Sequence, residues 1–324
     1  MNNLIYRLKK KIFKTKNQYK EKRRLKTALA NEIIRGGYDQ TELNLLLLSH
    51  SLEKGMGIEN PKIGFGQTKA KRLLEEIALY VSHTDAPEVL YAYNEGMSVL
   101  ERYIQFTIDS GVSVSELEKS YQNLLNKNKP DVQKAGYEVV DTATMYGAIE
   151  KDASSYFLRS RHSIRSYKMR SVEKDIMESV LAIAAASPSA CNRQPVKVFW
   201  TNSASSVARI SKVIPGNKGF ENAIPNWAII AVDRTMFGEQ ECLQWYLNGG
   251  IYAAHFVLAL HAFHIGSCIF QIPISWGGIP EIKKIAGIPE YFAIACAVGF
   301  GYPKDQVKCL CAARKPVSEY CVQF

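Results

Sequence analysis

Apolar residues recur at helical spacing through the first half of the chain. Thr41–Lys54 reads as a helix with Leu43, Leu45–Leu48 and Leu52 on its apolar side; Thr41 is its cap, Asn44 stands three residues on, and Gly55 is its stop. A loop rich in Gly and Pro follows from Gly55 to Gly66. Helical spacing resumes over Thr68–Ser82, Ala86–Ser110 and Val114–Asn126, Pro130 interrupts it, and a further helical stretch leads to about Tyr156. Residues 1–30 read as one more helix, with Leu4, Ile5, Leu8 and Ile12 near one face.

Beyond residue 160 the period changes. A helix is expected over about Val172–Ala186, capped by Ser171, with Glu173 and Asp175 in its first turn. Val196–Thr201, Trp227–Val232 and Phe292–Gly299 are β-like runs, and a long helix lies near Gln240–His264. Helices and strands do not alternate strictly, so the expected class is α+β rather than a doubly wound parallel sheet. The apolar run Ile251–Phe270 is long enough to suggest a membrane span. Its three histidines and the absence of basic flanks favour a buried core or interface helix.

Charge changes this picture at one end only. The net charge is +10, yet residues 1–26 carry eleven Lys/Arg against Glu21 alone, which leaves 30 bases and 30 acids for the remainder. The start is no secretory signal, because lysines interrupt it throughout. Its basic helix suits an anionic membrane surface, and a cytoplasmic protein, peripheral at the inner membrane face, is expected. Few aromatics interleave the basic residues and the body is neutral, which argues against nucleic acid. The seven cysteines have no regular spacing, so free thiols are expected and no metal site.

Candidate chemistry lies in two short segments. Arg161-His162-Ser163-Ile164-Arg165 packs three cationic or potentially cationic side chains and a hydroxyl into five residues. Arg161, Ser163 and Arg165, two apart on an extended or turn segment, can converge on one phosphate. Pro188-Ser189-Ala190-Cys191-Asn192-Arg193-Gln194-Pro195 is a polar turn, and the amides of Asn192 and Gln194 suit ribityl hydroxyls or the edge of a planar ring. Arg314, just ahead of Pro316, is a further candidate for the phosphate. A flavin mononucleotide needs this set of groups. Cys191 has no base placed beside it, and no side-chain acid or base stands out as catalytic.

These two segments resemble the FMN-binding pattern of the nitroreductase superfamily. Asn248-Gly249-Gly250-Ile251-Tyr252-Ala253-Ala254, leading to Ile265-Gly266-Ser267-Cys268, is similar to that family's central dimer helix, and Val298–Pro303 to its last core strand and turn. The resemblance covers about residues 156–324. It implies FMN held by Arg161, His162, Ser163, Arg165, Pro188, Ser189, Asn192, Gln194 and Arg314. It implies NAD(P)H as donor, ping-pong hydride transfer to a small-molecule substrate, and a homodimer that buries the long helix. Val196 stands where the family often has Trp, Gly216–Glu221 matches no substrate-binding element, and Ser275–Gly278 is the candidate donor toward the flavin ring. His50-Ser51-Leu52-Glu53-Lys54-Gly55, with Pro61 and Gly64-Phe65-Gly66, resembles the helical N-terminal region of a long-form subgroup linked with cell-surface polysaccharide genes. The expected organisation is a basic arm (1–30), a helical accessory region (31–155) and an FMN-binding domain (156–324). The alternative is a membrane-associated scaffold with a degenerate flavin site.

Overall fold

A computed structural model describes residues 38–131, 134–238, 241, 243–272 and 277–324, with Tyr19 and Arg23. The basic arm otherwise lies outside the described residues, as do Ser275 and Trp276 of the candidate ring-contacting segment. The first half is helical: α1 (Tyr38–Met56), α2 (Gln67–His83), α3 (Tyr91–Asp109), α4 (Ser115–Leu125), α5 (Thr142–Gly147) and α6 (Lys151–Ser160). The expected helix Ala86–Ser110 begins later. Ala86 adopts φ 48 and Pro87–Val89 form a 3₁₀ turn, so α3 proper starts at Tyr91. The stretch leading to Tyr156 is two short helices without a buried residue.

The second half holds α7 (Lys174–Ala184), β1 (Val196–Thr201), α8 (Ala204–Val213), β2 (Asn226–Asp233), α9 (Gln244–Ala262), β3 (Gly266–Gln271), α10 (Ile279–Ala286) and β4 (Phe292–Gly301). The strands form one antiparallel sheet in the order β1-β2-β4-β3, so the protein is α+β. The run Ile251–Phe270 is therefore not one helix. His264 turns to φ 59, a conformation that stops a helix, and the residues from Gly266 pair with β4. Among the described residues no helix is long and apolar enough to cross a membrane.

β2 is buried on both faces, which is why it reads as a continuous apolar run. Trp227, Ile229 and Ala231 pack with Ile210, Ile214 and Ile282 on one side. Ala228 and Ile230 pack with α7 and α9 through Met177, Val180, Phe256 and Leu260 on the other. The helices α1–α4 do not bury their apolar faces alone: Leu45, Leu52, Leu73, Tyr93 and Leu100 share one cluster with Val232, Phe237, Trp245 and Ala293 of the sheet half. That shared core seats the helical layer beside the candidate site.

α9 lies close on the sheet because Gly249 has no side chain. A Cβ there meets the Ala295 Cβ at 2.5 Å and the Val232 Cγ2 at 2.9 Å. Ala295 stands at the register shift between β2 and β4. Gly249→Ala is expected to destabilise the fold by about 1–3 kcal/mol through overpacking, measured as a lower urea midpoint at unchanged slope.

Candidate functional site

The Arg161–Arg165 segment follows α6 and runs along β3. Ser163 makes a parallel bridge to Ser267, and the Ile164 N–H donates to the Ser267 carbonyl at 2.9 Å. Gly266 permits this approach, since a Cβ on it would lie 2.9 Å from the Cβ of Ile164. Buried Tyr167 anchors the far end by donating its hydroxyl to the Ile164 and Gly299 carbonyls.

The extended backbone gives Arg161, Ser163 and Arg165 a common side. All three act on Cys268 of β3. Burial pushes the Cys268 thiol up, while Arg165, a hydrogen bond from Ser163 and Arg161 act the other way. Burial pulls His261 down, and Arg161, His264 and His162 add to that. His261 also meets Ser160 Oγ at 2.9 Å and packs on Phe157. Among the described residues the guanidinium of Arg165 donates to the Ser163 carbonyl, at 3.4 Å. Neither Arg161 nor Arg165 pairs with a carboxylate among the described residues. Two half-buried guanidiniums beside two histidines, without an acid to balance them, form a site for an anion.

The second segment is a wound loop between α7 and β1. Cys191, Asn192 and Gln194 adopt φ of 50, 51 and 48. Left-handed backbone at such residues costs of order 1–3 kcal/mol each unless the surroundings enforce it. Four groups do so. Ser189 Oγ accepts from the Gln194 N–H at 3.0 Å, and Asn248 Oδ1 accepts from the Ala190 N–H at 2.8 Å. Arg193 is 4% exposed; it donates to the Ala190 carbonyl and grips both oxygens of Glu241, at 2.9 and 2.6 Å. The hydrogen bonds from Arg193 hold the Glu241 carboxyl below its ordinary range.

Pro188, Ser189 and Gln194 line a recess of about 150 Å³ with Asn248 and Tyr252. Asn192 is exposed on the same loop. Gln194 also reaches the helical layer: its Nε2 donates to the Tyr91 hydroxyl at 2.6 Å. Arg314 stands apart. It lies in the exposed segment after β4 and donates to the Ala312 carbonyl, and no hydrogen bond or ion pair among the described residues joins it to Arg161 or Arg165. The eight other candidates thus form two groups, the cationic strip along β3 and the loop with its recess.

Sequence reasoning missed Arg193, Asn248, Tyr252 and Tyr91 as parts of this site. Arg193, Asn248 and Tyr252 stand inside the two motifs quoted above, and that membership is the one signal the sequence holds for them. Tyr91 had none, because only tertiary packing brings it to the loop. Gly216–Glu221 forms part of a turn whose Gly219–Glu221 borders a separate surface hollow with Tyr167 and Lys304.

The chain is similar in part to known proteins. A model of the nitroreductase family matches residues 158–217, from the cationic strip through the loop to β1 and α8. A protein of Archaeoglobus fulgidus, named for NADH dehydrogenase and NAD(P)H nitroreductase, is 24% identical over 147 residues, 45% of this chain and 83% of its own length. An NADH dehydrogenase of Thermus thermophilus is 25% identical over 188 residues, 48% of this chain and 88% of its own. Among solved structures, an FMN-dependent nitroreductase of Clostridium difficile is 22% identical, with 52% of this chain and 96% of that one covered and a TM-score of 0.44.

Proposed function

We propose that the protein is an FMN-dependent oxidoreductase of the nitroreductase type. The observation that carries this reading is the strip of Arg161, Ser163 and Arg165, pinned to β3 with no carboxylate paired to it among the described residues. Arg161 and Arg165 hold the FMN phosphate, with Ser163 and His162 beside them. Pro188, Ser189, Asn192 and Gln194 meet the ribityl chain and ring edge. Bound FMN supplies hydride chemistry, taking two electrons from a reduced nicotinamide and passing them to a small-molecule substrate. The names of the relatives support the donor, and the chain's own residues supply position and charge.

The reading includes a homodimer. The recess at the loop is well below the ~300–1,000 Å³ of a small-molecule pocket, so within one chain it is a single wall. Apolar side chains stand uncovered in this half of the chain, among them Leu247 on α9, Ile183 on α7, and Leu310, Val322 and Phe324 near the C-terminus. Most of α9 is buried against its own sheet, so the interface draws on this exposed margin rather than on the whole helix. A second copy covers these groups and brings Arg314 to the phosphate of its partner. The basic arm adds contact with anionic lipid at the inner membrane face, and the resemblance of His50–Gly55 supports a substrate from cell-surface polysaccharide metabolism.

The visible spectrum of the purified protein tests the reading. Stoichiometric FMN, identified by chromatography after release and bleached by NADH or NADPH, is expected. A colourless protein that also fails to bind added FMN overturns it and favours the scaffold alternative.

A further inference from the structure

The helical layer brings a pair of carboxyl groups against the loop. Glu95 on α3 is 6% exposed, and it accepts no hydrogen bond among the described residues. Glu53 of the His50–Gly55 motif lies close enough on α1 to act on it and accepts the Gly136 N–H at 2.9 Å. One turn before Glu53, Ser49 Oγ is buried without a hydrogen-bond partner. One turn before Glu95, Tyr91 takes a hydrogen bond from Gln194, while its own hydroxyl proton meets no acceptor among the described residues. A phenol proton is thus uncommitted beside Gln194, which lines the recess, and one turn on stands a largely buried carboxyl that accepts no hydrogen bond among the described residues.

We propose that Tyr91 is the proton donor to the substrate and that the Glu53–Glu95 pair, acting through Tyr91, resupplies the proton. This rests on the oxidoreductase reading. A substrate that gains a hydride carries an extra electron pair and needs one proton to complete a two-electron reduction. The Tyr91 O–H bond breaks as the new bond to substrate forms. The phenolate left behind is restored when the Glu95 O–H bond breaks and solvent carries that proton to the Tyr91 oxygen, and solvent then returns a proton to the pair. Gln194 orients the Tyr91 oxygen by donating to it.

The surroundings suit these roles. Burial first, and then the charge of Glu53, pushes Glu95 up to about 7, so one proton stays on the pair near neutrality. Burial raises Glu53 too, against the Gly136 N–H and His50. Burial and the charge of Glu95 push Tyr91 up to about 12, against the Gln194 hydrogen bond, so the phenol keeps its proton until transfer. Glu53 from α1 and Tyr91 on its own helix act on Glu95, and His50 acts on Glu53; α2 meets this part of α3 through apolar Ile77, beside Gly96.

Two measurements on the full chain test the proposal. In flavin-free protein carrying ¹³C-labelled glutamate, one carboxyl resonance is expected to titrate near neutrality and to vanish in Glu95→Gln. No such titration overturns the pair. In flavin-loaded protein, with NADH as donor and a nitroaromatic acceptor, Tyr91→Phe is expected to slow acceptor reduction about 100-fold per bound flavin and flavin reduction by NADH far less. Acceptor reduction in the wild type falls as pH rises through about 7, and Glu95→Gln flattens that profile. Unchanged acceptor reduction in Tyr91→Phe overturns the donor role. A protein that holds no flavin overturns the reading above and the donor role with it, and the titration still judges the pair.

Discussion

Replacing Arg161 and Arg165 together with alanine is expected to strip the protein of FMN and leave its fold standing. A hydrogen bond between a charged donor and a charged acceptor is worth about 1.5–3 kcal/mol, so losing two weakens FMN by roughly 3–6 kcal/mol, a factor of about 10²–10⁴. The fold does not depend on either head group. Arg165 makes one long bond to the Ser163 carbonyl, and the segment is held by backbone pairing to Ser267 and by Tyr167. Fluorescence titration with FMN gives the affinity, and a thermal melt of the flavin-free variant checks the fold. The single variants are expected to fall between, each with a weaker dependence on salt than the wild type, because each loses one screened attraction. Unchanged FMN content in the double variant removes the phosphate assignment.

The parts of this fold that could be read from the sequence are those in which one local rule decides. β2 was legible because burial on both faces makes Trp227–Val232 uniformly apolar. The cationic strip was legible because Arg161, Ser163 and Arg165 owe their common side to extended backbone alone. β3 was hidden because its apolar residues continue those of α9, and the break between them is one histidine at positive φ. The helices α8 and α10 are short, and each buries only two residues, so their periodicity was faint. The candidate site divides in the same way. Pro188, Ser189 and Asn192 announce a turn by residue type. That Arg193 braces it follows from Glu241, 48 residues away, and that Tyr91 touches it follows from a contact spanning 103 residues.

That bracing gives the second large effect. Arg193→Ala is expected to destabilise the protein by about 3 kcal/mol, in the range for removing one partner of a buried ion pair. Glu241 retains some exposure and regains water, which moderates the loss. The Met236 carbonyl loses its side-chain donor, while the Ala190 carbonyl keeps the backbone N–H of residue 193. The midpoint of thermal unfolding then falls by about 4–5 °C in a chain of this size. Arg193→Lys recovers little, because one ammonium cannot reach both Glu241 oxygens and two carbonyls from a single position. The consequence extends beyond stability. Cys191, Asn192 and Gln194 hold left-handed backbone against their own preference, and Arg193 lies between them. Once it is gone the loop relaxes, Gln194 leaves Tyr91, and the recess loses its rim. Arg193→Ala should therefore lower FMN affinity as well, although Arg193 carries no candidate contact to the cofactor. A variant that melts with the wild type, or that loses stability while binding FMN unchanged, would separate the brace from the site it supports.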